Sequence, residues 1–521
     1  MRLTHEQQEI QTEGAKRTSA GSNTIVIAFA GAGKTTTLKS VAEAIPMKGC
    51  YLAFNKAIAE EAMRKFVRTK CSASTMHSLA FSVVRDITHK PANLNARDVR
   101  DSGLLRRFNP PRVKGWSDYR IGSAICRTLA VYCNSADADV TLDHAKEALI
   151  SSVGDPDLIH SDERAATAQH AIDQLVGPLA EMTQAYFDAC LGDGRLSHDI
   201  YLKLLDLDSS LSAQAFRGFK YLMVDEAQDI NPVQRAILVK SGLPLIAVGD
   251  PYQQIYSWRG AENALASFEG EKFYLTQSFR FGEDIAEQAR RILSSRPDGG
   301  PEQQLIGAGR GIPANYKGAK VAMICRTNIG MIDEALRLMN TGKRVHVDNV
   351  EGLVSDVRSA QALFCDEHSK VTSQEIRQFD SWHEMVAEAE ESGGALARLV
   401  QLVEDNRVGE VESLLHRQVK TETSEFMVCT AHRSKGLEFP AVALGRDWKD
   451  IDSLQRRFEV TKRESAKSNT QALEEWNALY VAATRPMVRL KGLDKLLEPP
   501  QLDKNADSAP AGYTPMQWEA S

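Results

Sequence analysis

Short apolar, β-branched runs recur along the chain and stop at glycine or acidic residues: TIVIAF (24–29), YLAF (51–54), YLMV (221–224) and LIAV (245–248). A later group comprises VAMIC (321–325), FMVC (426–429) and AVAL (441–444). Runs of this length without polar alternation predict strands buried on both faces. KTTTLKSVAEAI and NKAIAEEAMRKF, after the first two runs, place apolar residues at helical spacing. Strand followed by helix is the rhythm of an open parallel sheet, and two groups of runs predict two such sheets. Residues 88–204 and 350–421 carry helical patterns instead, both rich in charge. From Glu498 onward the chain is polar and proline-rich, which predicts a disordered tail in which Trp518 is either an anchor or incidental.

A chain of 521 residues exceeds what one hydrophobic core supports, so at least two domains are expected. With 43% hydrophobic and 25% charged residues it belongs with soluble globular proteins. No apolar run reaches the length of a membrane span, and the N-terminal MRLTHEQQEI lacks the apolar core of a signal peptide. The expectation is a cytoplasmic protein with no membrane partner. Its eight cysteines form no C-x-x-C pair, which argues against zinc or iron–sulfur ligation and for free thiols in a reducing compartment. A net charge of −6 does not advertise a nucleic-acid binder, so any such binding needs a local basic groove. One candidate is the stretch with Arg97, Arg100, Arg106, Arg107, Arg112, Lys114, Arg120 and Arg127 against Asp98, Asp101 and Asp118. It either lines a phosphate backbone or is a solvated basic face.

The strongest chemical signal is IVIAFAGAGKTTTL, a strand running into a glycine loop and then a helix. Backbone N–H groups of such a loop (Ala30, Gly31, Ala32, Gly33) cradle phosphates. Lys34 then meets the terminal phosphates, Thr35 reaches Mg²⁺ and Thr36 joins them in binding the nucleotide. Ala28 stands where the usual pattern has its first glycine. YLMVDEAQD adds Asp225 and Glu226 at a strand's carboxyl end, where an aspartate can hold Mg²⁺ and a glutamate can polarise water. Together the two motifs read as a nucleoside triphosphatase.

In their order, these and the remaining motifs resemble superfamily 1 helicases of the UvrD/Rep/PcrA type, with AFNKAIAEE nearest the F-box DNA helicase branch; the resemblance runs from residue 3 to about residue 490. It implies a fold of two RecA-like parallel-sheet domains with inserted helical subdomains, ATP and Mg²⁺ as ligands, and 3′→5′ movement on single-stranded DNA. LTHEQQ is similar to the Q motif, with Gln7 on adenine. The segment with Phe54, Asn55 and Lys56 and that with Thr75, His77 and Ser78 resemble DNA-contacting motifs. LTQSFRF places Phe279 on the base and Arg280 as an arginine finger, although the family core is Asn-Tyr-Arg. ICRTN (Arg326, Thr327, Asn328) resembles the next motif. CTAHRSKGLEF points Thr430, His432 and Ser434 to DNA and Glu438 to the ribose. YVAATR ends in a second finger, Arg485, followed by Pro486 where alanine is usual.

VGDPYQQIYSWRGA (248–261) resembles the motif that links the two activities. Gln253 would sit at the γ-phosphate or attacking water. Trp258 would stack on a base with Arg259 beside it, while Tyr256 reads as packing. Stacking ignores base identity, as a moving motor requires. The implied division is 1–87 with 205–277 as the first core domain and 88–204 as its helical insertion. Residues 278–349 with 422–498 make the second core domain, 350–421 a reduced insertion, and 499–521 the tail. The expected function is a DNA helicase acting on single strands and single/double-strand junctions. Alternatives are a DNA-stimulated translocase that strips proteins, and a nucleotide sensor controlling a nuclease or recombinase. Repair, recombination or replication proteins are the expected partners.

Overall fold

The computed structural model describes residues 2–85, 94–153, 162–256, 263–309, 311–314, 316–373, 375–377, 379, 381–392, 394–461 and 466–497. Six parallel strands form the first sheet: β1 (Thr24–Ala28), β2 (Gly49–Ala53), β3 (Cys71–Thr75), β4 (Tyr221–Val224), β5 (Leu245–Gly249) and β6 (Glu271–Leu275), in the order β3-β2-β4-β5-β1-β6. A small pair, β7 (Gln277–Ser278) and β8 (Ile306–Gly307), leads to the second sheet. That sheet contains β9 (Val321–Cys325), β10 (Val345–Val347), β11 (Phe426–Thr430), β12 (Phe439–Leu444) and β13 (Pro486–Lys491), again parallel, in the order β10-β11-β9-β12-β13. The fold is two RecA-like α/β units with helical insertions.

The apolar runs account for the interior strands. Every position of β2, β4, β5, β9 and β11 is buried, and each large aliphatic side chain so buried contributes ~1.5–3 kcal/mol. The pattern misses β3, β6, β10 and β13, which are the sheet edges. CSAST and EKFYL are polar because an edge strand keeps part of its surface in water. PMVRLK begins with proline, which an edge strand tolerates at its first residue.

Helices Ala96–Asp101 through His198–Leu207 fill most of the interval between β3 and β4. Helices Val350–Phe364, Trp382–Ser392, Gly394–Glu404 and Val408–Arg417 lie between β10 and β11. Within the basic stretch, Arg100, Arg106, Arg107, Arg112 and Lys114 are exposed. Arg120 and Arg127 instead turn inward, to the other insertion. Arg120 Nη2 lies 2.7 Å from Glu388 Oε2 and also donates to the Ser152 carbonyl at 3.3 Å. Arg127 donates to Ser152 Oγ at 2.8 Å. Burial lowers the Arg127 pKa, against the opposing pull of Glu388. Among the described residues, no helix is long and apolar enough to cross a membrane. The tail 499–521 lies outside the described residues.

Candidate functional site

The site lies where the carboxyl ends of β1, β4 and β5 face the second sheet's helices. After β1 the chain turns through Gly31 (φ 72°) and Gly33 (φ 77°), both left-handed. A Cβ at Gly31 would come 2.6 Å from Ser278 Oγ and 2.7 Å from Arg280 Cβ, so the segment after β6 lies directly on this loop. Lys34 and Thr35 open the helix Lys34–Ala44, with Thr36 in the same turn.

Asp225 directly follows β4, and Glu226 takes a left-handed conformation (φ 51°) uncommon for a glutamate. Its carboxylate is held by Lys34 Nζ at 2.7 Å and Gln228 Nε2 at 2.7 Å. Burial alone would push the Glu226 carboxyl up, but Lys34 and Lys435 outweigh it and hold it at about 2. Asp225 is pushed upward by burial and by Glu226. Its oxygens accept the Tyr51 hydroxyl and, at 2.9 Å, the Glu226 N–H. Thr35 lies near the same Tyr51 hydroxyl, which it acts on electrostatically.

The far wall comes from the helix Ala466–Ala483 and the turn before β13. Buried Arg485 donates from Nη2 to Gln253 Oε1 at 3.0 Å and from Nε to the Val481 carbonyl at 2.8 Å. Burial and nearby Arg280 lower its pKa to about 9. Gln253 Nε2 in turn donates to Asp250 Oδ2 at 2.7 Å, which also accepts Tyr480 OH at 3.3 Å. Arg280 pairs with Glu438 (2.9 Å) and donates to the Thr484 carbonyl at 3.0 Å. At the other end, Gln7 caps the N-terminal helix and donates to Thr37 Oγ1 at 3.2 Å. A Cβ at Gly33 would meet Gln7 Nε2 at 3.0 Å and the Phe279 ring at 3.5 Å, so these two side chains flank one end of the loop.

A second face carries aromatic groups. The Phe54 and Tyr256 rings stack at 5.8 Å and 17°, and Tyr256 lies 6.1 Å from the His432 ring. Burial and Arg326 lower the His432 pKa to about 4. Asn55 and Thr75 cap the helices Lys56–Lys65 and Met76–Val84 with their side-chain oxygens. Lys56 is exposed, His77 packs edge-on to Tyr201, and Thr430 is buried at the end of β11. Trp258 and Arg259 lie outside the described residues.

Residues 7–273 match the UvrD/REP helicase N-terminal domain, and residues 172–491 match the UvrD-like helicase C-terminal domain. The chain belongs to the UvrD-like helicase family. This UvrD-like chain is 29% identical over 518 residues to F-box DNA helicase 1 of Gallus gallus, covering 93% of this chain and 48% of that one. It is 28% identical over 510 residues to F-box DNA helicase protein 1 of Schizosaccharomyces pombe, covering 89% and 55%. ATP-dependent DNA helicase PcrA of Leuconostoc citreum matches at 26% over 320 residues, 56% of this chain and 40% of that protein. The UvrD-like chain thus spans about half the length of these F-box relatives.

Motif reading passed over several residues of this UvrD-like site. Tyr51, Asp250 and Tyr480 hold its carboxylates and Gln253, but a tyrosine inside an apolar strand gives no hint of its partner. Tyr256, read as packing, bridges Phe54 and His432. Lys435 crosses from the segment after β11 to the first sheet's loops. Among the described residues, no cluster of three or more His, Cys, Asp or Glu could hold a metal by itself. The Thr35–Asp225 pair fits a cation that takes its other ligands from phosphates and water.

Proposed function

We propose that this chain is an ATP-driven motor that tracks 3′→5′ along single-stranded DNA and separates duplex ahead of it. The observation that carries the reading is the convergence on one cleft of Lys34, Asp225 and Glu226 from the first sheet with Arg485 from the second. ATP would lie between the sheets, its base between Gln7 and Phe279, its ribose at Glu438, and its phosphates on the N–H groups of residues 30–36. Thr35 and Asp225 would hold Mg²⁺, which when bound neutralises phosphate charge. Glu226, kept ionised beside Lys34, is suited to orient and polarise the attacking water. Gln253 positions that water, and Arg485 and Arg280 stabilise charge building on the γ-phosphate, as arginine fingers do. Both arginines belong to the second unit, so their engagement requires the two sheets to close.

Gln253 and Tyr256 share one short segment, so a change at the phosphate reaches the Phe54–Tyr256–His432 row. Single-stranded DNA would lie on that row, with Asn55, Lys56, Thr75, His77 and Thr430 along its path and Trp258 and Arg259 completing the contact. Junctions of single and double strands are the expected substrates. Partners would come from repair, recombination or replication.

The test is ATP-dependent strand displacement on matched duplexes with a 3′ or a 5′ single-stranded tail. Displacement only from the 3′-tailed duplex is the expected result. Displacement from the 5′ tail alone overturns the polarity. ATPase stimulated by either strand without displacement reduces the protein to a translocase.

A further inference from the structure

We propose that the helical insertion between β3 and β4 carries a docking groove for a basic, amphipathic helix of a partner protein. The groove, of about 680 Å³, runs between the short helix Leu104–Phe108, the turn before the helix Leu142–Val153 and one face of the long helix Asp162–Gly192. Gly177, Glu181, Gln184 and Asp188 line it from the long helix. Their spacings of four, three and four residues belong to one helical face, which extends over ~16 Å. A Cβ at Gly177 would meet nothing within 4 Å, so that wall is open. Opposite it, Val140 is half-buried and Leu142 is 58% exposed. The shape is preformed, which lowers the ordering cost of binding. Gln184 Oε1 accepts the Val140 N–H at 3.0 Å, and Gln184 Nε2 donates to Asp188 Oδ1 at 3.0 Å, tying the turn to the long helix. His144 accepts the Thr141 N–H at 2.9 Å and lies 2.9 Å from Asp137, which fixes the turn from its other side.

Charge selects the occupant. Every charged side chain lining the groove is acidic: Asp139, Glu181 and Asp188. Among the described residues none of the three forms an ion pair. Arg107, the nearest base along the chain at the Phe108 end, lies 5.4 Å over the Phe108 ring instead. An apolar floor with an acidic rim is complementary to apolar side chains at i, i+3 or i+4 and i+7, flanked by Lys or Arg. A helix suits the groove better than an extended segment, because its walls are helices and a bonded turn, with no strand edge along them. Three carboxylates repel phosphate, so nucleic acid is the wrong occupant. The chain's own residues 498–521 also have the wrong sign, with Glu498, Asp503, Asp507 and Glu519 against Lys504. None of the groove residues belongs to the nucleotide cleft or to the Phe54–Tyr256–His432 row, so a partner held here leaves both open.

The experiment measures fluorescence anisotropy of a fluorescein-labelled helical peptide of about 14 residues, long enough to fill the groove, with Leu on one face and Lys on the other. A matched peptide carries Glu in place of each Lys. The full wild-type chain is expected to bind the Lys peptide about tenfold or more tightly than the Glu peptide. Asp139→Asn/Glu181→Gln/Asp188→Asn weakens binding of the Lys peptide about tenfold. Neutralising three exposed acids elsewhere, Glu351→Gln/Glu404→Gln/Glu422→Gln, leaves it within about twofold, since exposed charges farther than a Debye length are screened. Equal affinity for the two peptides overturns the proposal. So does an equal loss in the two triple variants, which marks diffuse attraction to an acidic protein. Self-association of the wild type in sedimentation velocity, abolished by neutralising the groove, also overturns it and gives the groove to a second copy. If the groove variant does not fold, Leu142→Ala and Glu181→Lys, both at exposed positions, decide alone: unchanged affinity for the Lys peptide in both overturns the proposal.

Discussion

Lys34 and Glu226 neutralise each other in a pocket where either charge alone would be costly. The lysine's pKa is raised because its carboxylate neighbours outweigh the effect of burial. Its ammonium is thereby held in the charged form, which suits the phosphate contact proposed for it. Lys34→Ala is expected to lower ATP turnover by about 10²–10³-fold or more, as loss of a charge-stabilising donor does. Far-UV circular dichroism checks that the helix content is kept. Wild-type turnover in a folded variant would remove the phosphate-site assignment. At this scale the sequence disclosed what is contiguous. The glycine loop, the Asp225–Glu226 pair and the arginines stand in short recognisable strings. Tyr51, Tyr480 and Lys435 stand in such strings too, but each acts through a partner far along the chain, and a lone tyrosine or lysine does not announce a carboxylate or carbonyl on another element.

The β1 loop works because its glycines let other elements approach. Gly31→Ala would set a Cβ against Ser278 Oγ and Arg280 Cβ, in a left-handed conformation that disfavours alanine. The expected cost is about 1–3 kcal/mol of stability. A larger loss of affinity for a non-hydrolysable ATP analogue should accompany it, because the loop proposed to receive phosphate is the part displaced. Thermal unfolding and fluorescence titration of the analogue separate the two effects. Strands were legible where hydrophobicity was continuous and illegible at the sheet margins. Interior strands must be apolar on both faces, while β3, β6, β10 and β13 need only one good neighbour. Polar or proline-led segments therefore serve as strands there without looking like them.

Across the whole molecule, the two helical insertions meet as well as the two sheets. Residues 350–421 carry 14 acidic and 7 basic side chains, and they present Glu388 to the basic segment of the other insertion. Arg120 also lies over the Trp116 ring, at 4.7 Å, so its position is set from both sides. Arg120→Glu should cost on the order of 2 kcal/mol, once the 21% exposure of its side chain is allowed for. Glu388→Arg should cost about the same, and the combined reversal should recover part of the loss. Urea unfolding of the four proteins tests this; strict additivity would mean that the pair does not interact.

The Arg120–Glu388 contact gives the molecule a kinematic constraint. The chain joins its halves through the backbone near β7 and again where Arg485 and Lys435 cross the cleft, and the insertions add a third joint. Bodies linked at three points form a closed linkage, in which no joint rotates independently. Any motion that widens the cleft between the two sheets is taken up as sliding or separation where the insertions touch. Arg120, Arg127 and Ser152 on one side and Phe379, Glu384 and Glu388 on the other are the groups that such a displacement must move past one another.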